Sequence, residues 1–347
     1  MAIRKTFRLI PSALLLSVLT LPAPEARAER PAAFADVARK KPDVTIVVTD
    51  SGLGGLSVAA DLVARLPASG IVRSARIVFV NAEPDVAFGY NDMRVEADKV
   101  RVFDAALAAM EARFKPDLIL IACNTLSVVY PGTAHSKRGG TETIEIVGLG
   151  ADLIRGELAV KPGATALVFA TKTTIESGAH RKLLVDKGVP ADHVVGEACP
   201  KLAGAIERGT GSEETIGYVK KFVAEALEKR PVRTGPLVVS LNCTHYGYVK
   251  PLWEQAFAAA GHPGVKILDP NPLMAGLVLK EGGAKRFPST AVTVEVVSKA
   301  PIDEATRANL GALLRVVSPE TADALGRYSH EPGLFPAAVD PAAVIAR

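Results

Sequence analysis

The chain alternates short apolar runs with longer segments whose apolar residues recur every three or four positions. Val44–Val48, Ile77–Val80, Leu118–Ala122, Ala164–Phe169 and Leu237–Leu241 are brief, rich in branched aliphatics and nearly unbroken by polar residues. That is the pattern of strands covered on both faces, as in a parallel sheet flanked by helices. Thr143–Val147, Val194–Val195, Val265–Asp269 and Val292–Val297 add further strand candidates. Between them, Leu56–Leu66, Glu96–Phe114, Ala179–Lys187, Glu213–Lys229, Lys250–Ala260, Pro272–Lys280 and Asp303–Leu314 carry helical spacing. Strands alternating with helices predict an α/β fold.

The order of elements runs twice. A first pass leads from Asp50 to a strand ending at Cys123, and a second from the Thr-rich stretch 171–177 to a strand ending at Cys243. This internal quasi-repeat predicts two pseudo-symmetric α/β domains with mainly parallel sheets and an active site in the cleft between them. The first domain is expected over 43–147 plus 265–325 and the second over 148–264. An N-terminal extension is expected over 29–42, and a peripheral tail over 326–347.

Ligands in open α/β sheets sit beyond the carboxyl ends of strands, where Asp50, Cys123 and Cys243 all fall. Asp50 opens Asp50-Ser-Gly-Leu-Gly-Gly55, a turn between strand and helix whose N–H groups suit an anion. The turn matches neither the P-loop nor the dinucleotide-binding spacing. Asp50 can orient or protonate a neighbouring group, or simply cap the helix, as Ser51 also could. Two strand-end thiols in matching contexts suggest one ligand with a thiol on each face. One could remove a proton from a stereogenic carbon while the other donates one. A helix N-terminus would favour the thiolate. His245 stands two residues after Cys243 and could shuttle its proton; Asp50 could serve Cys123 in the same way. Asn124, Thr125, Thr174 and Thr244 supply amide and hydroxyl groups for carboxylates. The plainer readings are a small apolar core residue for each cysteine, or a Cys123–Cys243 disulfide. Cys199, ahead of Pro200, reads as structural. His135, in a stretch 130–140 read as exposed loop, reads as a surface residue.

Composition narrows the class. With 48% hydrophobic but only 5% aromatic residues in 347, the core must be built from Ala, Val, Leu and Ile, which argues against disorder. The formal net charge of +4 is mostly borne by the first segment. There, Arg4, Lys5 and Arg8 precede an apolar stretch, Leu9 to Leu21, and Ala26-Arg-Ala28 offers a cleavage site. The stretch is too short for a membrane span, so residues 1–28 are expected to be a signal peptide rather than a retained anchor, giving a periplasmic or secreted protein. Their loss removes four of 41 basic and one of 37 acidic residues, leaving a charge of +1. No basic block then suggests nucleic acid, and no second apolar span suggests a membrane. The three cysteines lack C-x2-C spacing, so no metal is expected.

These residues resemble the glutamate racemase family, within the broader aspartate/glutamate racemase superfamily. The likeness rests on Asp50-Ser-Gly-Leu-Gly-Gly55, Cys123-Asn-Thr125 and Asn242-Cys-Thr-His-Tyr246, supported by 171–177 and by Ala198-Cys-Pro200 followed by Glu207. It runs from about Val44 to Leu279. The resemblance implies a cofactor-independent racemase acting on an amino acid, most simply glutamate, with Cys123 and Cys243 as the acid/base pair. Asp50, His245 and Glu207 fall at assisting positions. Ser51, Asn124, Thr125, Thr174 and Thr244 match substrate binders. The loop Gly89-Tyr90-Asn91 stands where the family reads P-Y-G and holds the substrate's distal carboxylate. Residues 136–142 read as an insertion, Asn242 replaces a glycine, and the C-terminus is extended. A homodimer is compatible with the sequence. Readings in other directions are a non-catalytic periplasmic binding protein for an amino acid or dicarboxylate, its two cysteines oxidised, and a racemase of another amino acid such as aspartate.

Overall fold

The computed structural model describes residues 33–231, 235–337, 339 and 344; the expected signal peptide lies outside them. The chain is mixed α/β with two separate sheets, and every strand pair is parallel. The strands are β1 (Asp43–Asp50), β2 (Ser74–Asn81), β3 (Leu118–Ile121), β4 (Thr143–Glu145), β5 (Thr165–Ala170), β6 (Val194–Ala198), β7 (Leu237–Asn242), β8 (Ile267–Leu268), β9 (Ala291–Ser298) and β10 (Ser329–His330). The first sheet has the order β10-β9-β2-β1-β3-β4 and the second β6-β5-β7-β8. Both lie within one compact unit.

The unbroken apolar runs form strands because each sheet has a core on both faces. Along β1, Val44, Ile46 and Val48 join one cluster with the helix Leu56–Ser69, while Val47 joins another with the helix Glu96–Phe114. In β5, Leu167 and Phe169 pack on one side, Ala166 and Val168 on the other. Each such aliphatic side chain, once buried, contributes on the order of 1.5–3 kcal/mol.

Register then sets the site. Thr49 pairs with Ile121, and Asp50 with Asn81, so Asp50, Cys123 and the chain leaving β2 emerge at one carboxyl edge. Ala170 pairs with both Asn242 and Ala198, which brings Thr171, Cys243 and Cys199 to the corresponding edge of the second sheet.

Several expectations shift. Much of the 29–42 extension is a docked helix, Ala33–Lys40, with Phe34 and Ala38 buried in the first core. The chain returns to the first sheet later than residue 265, because β8 still pairs with β7; the helix Asn271–Glu281 packs on Leu56–Ser69. The tail is not wholly peripheral, since β10 extends the first sheet and Phe335 is buried in its core. Within 130–140, Ala134–Arg138 is helical and His135 is buried, its Nε2 3.2 Å from Glu111. The polarity of His135 and the loop-like composition hid a residue held by Glu111 and by Asp104, which accepts from its backbone N–H. No described helix is long and apolar enough to cross a membrane.

Candidate active site

The glycine turn after β1 wraps Asp50 in donors. Its Oδ1 accepts from Ser51 N at 2.7 Å, and its Oδ2 accepts from Gly55 N at 2.6 Å and Thr244 Oγ1 at 2.7 Å. Asp50 thus braces the turn and ties it to the Cys243 segment, while the helix Leu56–Ser69 starts from Gly55 with no side-chain cap. Gly54 is required for this approach. A Cβ there would lie 2.3 Å from Thr244 Oγ1 and 2.6 Å from His245 N.

Cys123 leaves β3 as the N-cap of Asn124–Val129. Its Sγ lies 3.1 Å from Ser51 Oγ and accepts from Leu126 N at 3.4 Å. These two contacts favour the thiolate, as expected for a strand-end cysteine. Burial and the Asp50 carboxylate outweigh them and push the Cys123 thiol well up. The neutral thiol is therefore the resting form of Cys123, against the expectation of an eased thiolate.

Cys243 leaves β7, with its Sγ 3.7 Å from His245 Nδ1. The other ring nitrogen, Nε2, is 2.6 Å from Glu207 Oε1, which also accepts from Leu53 N at 2.9 Å. Burial alone would lower the imidazole's proton affinity. Glu207 and then Cys243 oppose burial and outweigh it, so the net displacement is well upward. The thiol–imidazole–carboxylate row gives Cys243 a companion that can take or return its proton.

These groups face one cavity of about 300 Å³. Of the residues expected from sequence, Asp50, Ser51, Gly89, Tyr90, Asn91, Cys123, Asn124, Thr125, Glu207, Cys243, Thr244 and His245 line it. Thr174 does not. Its hydroxyl lies behind Thr171, 3.0 Å away, and Thr171 in turn lies 2.7 Å from Thr125 Oγ1 on the cavity wall. Asn91 also acts as a brace, its Oδ1 accepting from Thr173 N at 3.1 Å. The Asn124 amide and the Tyr90 hydroxyl are buried without a protein partner among the described residues, which leaves them free for a ligand. Burial and Cys123 hold the Tyr90 hydroxyl protonated.

The wall also contains Glu83, Asp92, Thr171, Lys201, Ala203 and Gly204, none of which was expected. Glu83 was findable, since it follows β2, the neighbour of β1, by two residues and obeys the same strand-end rule. Lys201 carried no signal; it reaches the wall because a left-handed backbone, φ 66°, turns the chain into the helix Leu202–Arg208. Cys199 lies outside this wall, its Sγ 3.7 Å from Glu197 O, and all three cysteines are free thiols.

No family model matches the sequence. The chain is 27% identical over 253 residues to the glutamate racemase of Lactiplantibacillus plantarum, covering 70% of this chain and 84% of that one. Against the Corynebacterium diphtheriae glutamate racemase it is 28% identical over 204 residues, covering 58% and 68%. These relatives are glutamate racemases, and the likeness runs over most of the chain. The glutamate racemase of Francisella tularensis, solved with D-glutamate, has the same fold, with TM-score 0.61 at 20% identity over 80% of this chain and 95% of that one. A Bacillus anthracis glutamate racemase gives TM-score 0.59 at 22% identity, covering 78% and 94%.

Proposed function

We propose that this protein is a cofactor-independent amino-acid racemase interconverting L- and D-glutamate by two thiols. The carrying observation is that Cys123 and Cys243, one from each sheet, line a single small cavity, each with its own polar companions. In one direction Cys243 Sγ takes the Cα proton and the Cα–H electron pair stays on carbon. The thiol of Cys123 then gives its proton to the opposite face, so one C–H bond is broken and one formed with no net change in substrate. In the other direction the roles exchange. His245 and Glu207 steady the charge at Cys243, while Ser51 and Leu126 N donate to Cys123 when it is the thiolate. Glutamate as the substrate is supported by the relatives and by hydroxyl and amide donors on the cavity wall.

In D2O, deuterium should enter Cα from either enantiomer, and Cys123→Ala or Cys243→Ala should abolish racemisation while the protein stays folded. Full activity in either variant would refute the two-thiol mechanism. A substrate panel including aspartate, read by loss of optical purity, tests the choice of glutamate. Export is proposed from residues 1–28, and the mass of the mature protein, expected to begin at Glu29, tests it.

A further inference from the structure

Four carboxyl groups line the cavity: Asp50, Glu83, Asp92 and Glu207. Three already have donors. Asp50 accepts from two backbone N–H groups and the Thr244 hydroxyl; Glu207 pairs with His245 and Leu53 N; Asp92 accepts from Gly89 N at 2.7 Å. Glu83 differs. Among the described residues no cation pairs with its carboxyl, and its one side-chain partner is the Asn81 amide. That amide is itself shared, since Asn81 Nδ2 donates to Ser298 Oγ and Asn81 Oδ1 accepts from Glu83 N. An amino acid entering the cavity brings an ammonium group that must exchange water for protein acceptors.

We propose that Glu83 is a substrate-binding residue whose carboxylate accepts from the α-ammonium of the bound amino acid. This deepens the racemase reading and rests on it. The titratable groups that share the cavity wall with Glu83 are Glu207, His245, Asp50, Asp92, Lys201, Tyr90 and the two thiols. In the empty cavity, burial and then Glu207 push the Glu83 carboxyl up to about 8, with the His245 charge pulling the other way. The site therefore holds a neutral acid at pH 7 and binds a cation only by releasing its proton. Below pH 8 the ionised fraction falls about tenfold per unit, so the KM for an ammonium-bearing ligand should rise as pH falls and level off above 8.

Glu83→Gln keeps the shape and removes the charge. The variant should raise the KM for L- and D-glutamate about tenfold or more, change kcat less, and flatten the rise in KM below pH 8. Glutarate has both carboxylates and no ammonium, so its inhibition of wild type and variant should agree within about twofold. An unchanged glutamate KM with the pH dependence retained overturns the assignment. Glutarate inhibition that weakens in parallel also overturns it, because Glu83 would then read a carboxylate or merely shape the wall. If wild-type protein binds glutamate without racemising it, the racemase reading fails, and calorimetric affinities for glutamate and glutarate decide the role of Glu83 by the same comparison. Wild-type protein that binds no glutamate overturns both.

Discussion

Gly54→Ala separates two opposing effects by sign. Gly54 does not have a positive φ, so the alanine meets no backbone penalty, and the lost freedom of the unfolded chain alone would stabilise by about 0.4–1 kcal/mol. The new Cβ would stand 2.3 Å from Thr244 Oγ1, 2.6 Å from His245 N and 2.7 Å from His245 Nδ1. Ordinary contact needs about 3.5 Å, so the Cys243–His245 segment must recede by roughly 1 Å. One of the obstructing atoms is backbone, which cannot swing aside. Overpacking of this kind costs about 1–3 kcal/mol, and a displacement near 1 Å at reacting groups costs about 10²-fold in rate. Net destabilisation with a large fall in kcat is expected, read by urea unfolding and by loss of optical purity of L-glutamate. Gly217→Ala is the internal control, because Gly217 is exposed within the helix Glu213–Glu228 and its Cβ would meet nothing within 4 Å. That substitution should stabilise by about 0.5–1 kcal/mol. A Gly54→Ala protein as stable and as fast as wild type would refute the close-approach reasoning.

Thr244→Val removes a buried donor to Asp50, so the urea midpoint should fall by the equivalent of about 1.5–3 kcal/mol; an unmoved midpoint would show that the bond carries no net stability. His180 is 3% exposed, and burial lowers its pKa from 6.5 to about 4. The unfolded chain takes up that proton first, so stability present above pH 6.5 is lost as pH falls towards 4, by about 3 kcal/mol in all. The stability gap between wild type and His180→Gln should shrink over that interval, and parallel pH curves would exclude His180 as the source.

The α/β class was legible because strands covered on both faces must be apolar throughout, as in Leu118–Ile121 with all four residues buried. The placing of Cys123 and Cys243 on one cavity wall was legible for a related reason, since an apolar run that stops at a polar cluster marks a strand's carboxyl end. What stayed hidden depends on partners distant in sequence. Phe34 looked like part of a loose extension because the core that receives it comes from the rest of the first sheet and its helices. Thr174 and Thr171 are three residues apart in a Thr-rich stretch, and only the fold decides which faces the cavity. Ile267 and Leu268 are too brief to declare their sheet; the pairing with β7 settles it.

The order of strands in the two sheets has a consequence for synthesis. The second sheet is drawn from one continuous stretch, Thr165 to Leu268, and can close as soon as that stretch has left the ribosome. The first cannot. β2 pairs along its whole length with β9, which is made after the entire second sheet. Until then β2 presents an open edge of apolar strand, the kind of surface on which nascent chains pair wrongly. The half carrying Cys243 therefore has all its strands before β9 is made, whereas the half carrying Cys123 receives two of its six strands, β9 and β10, only from the C-terminal segment.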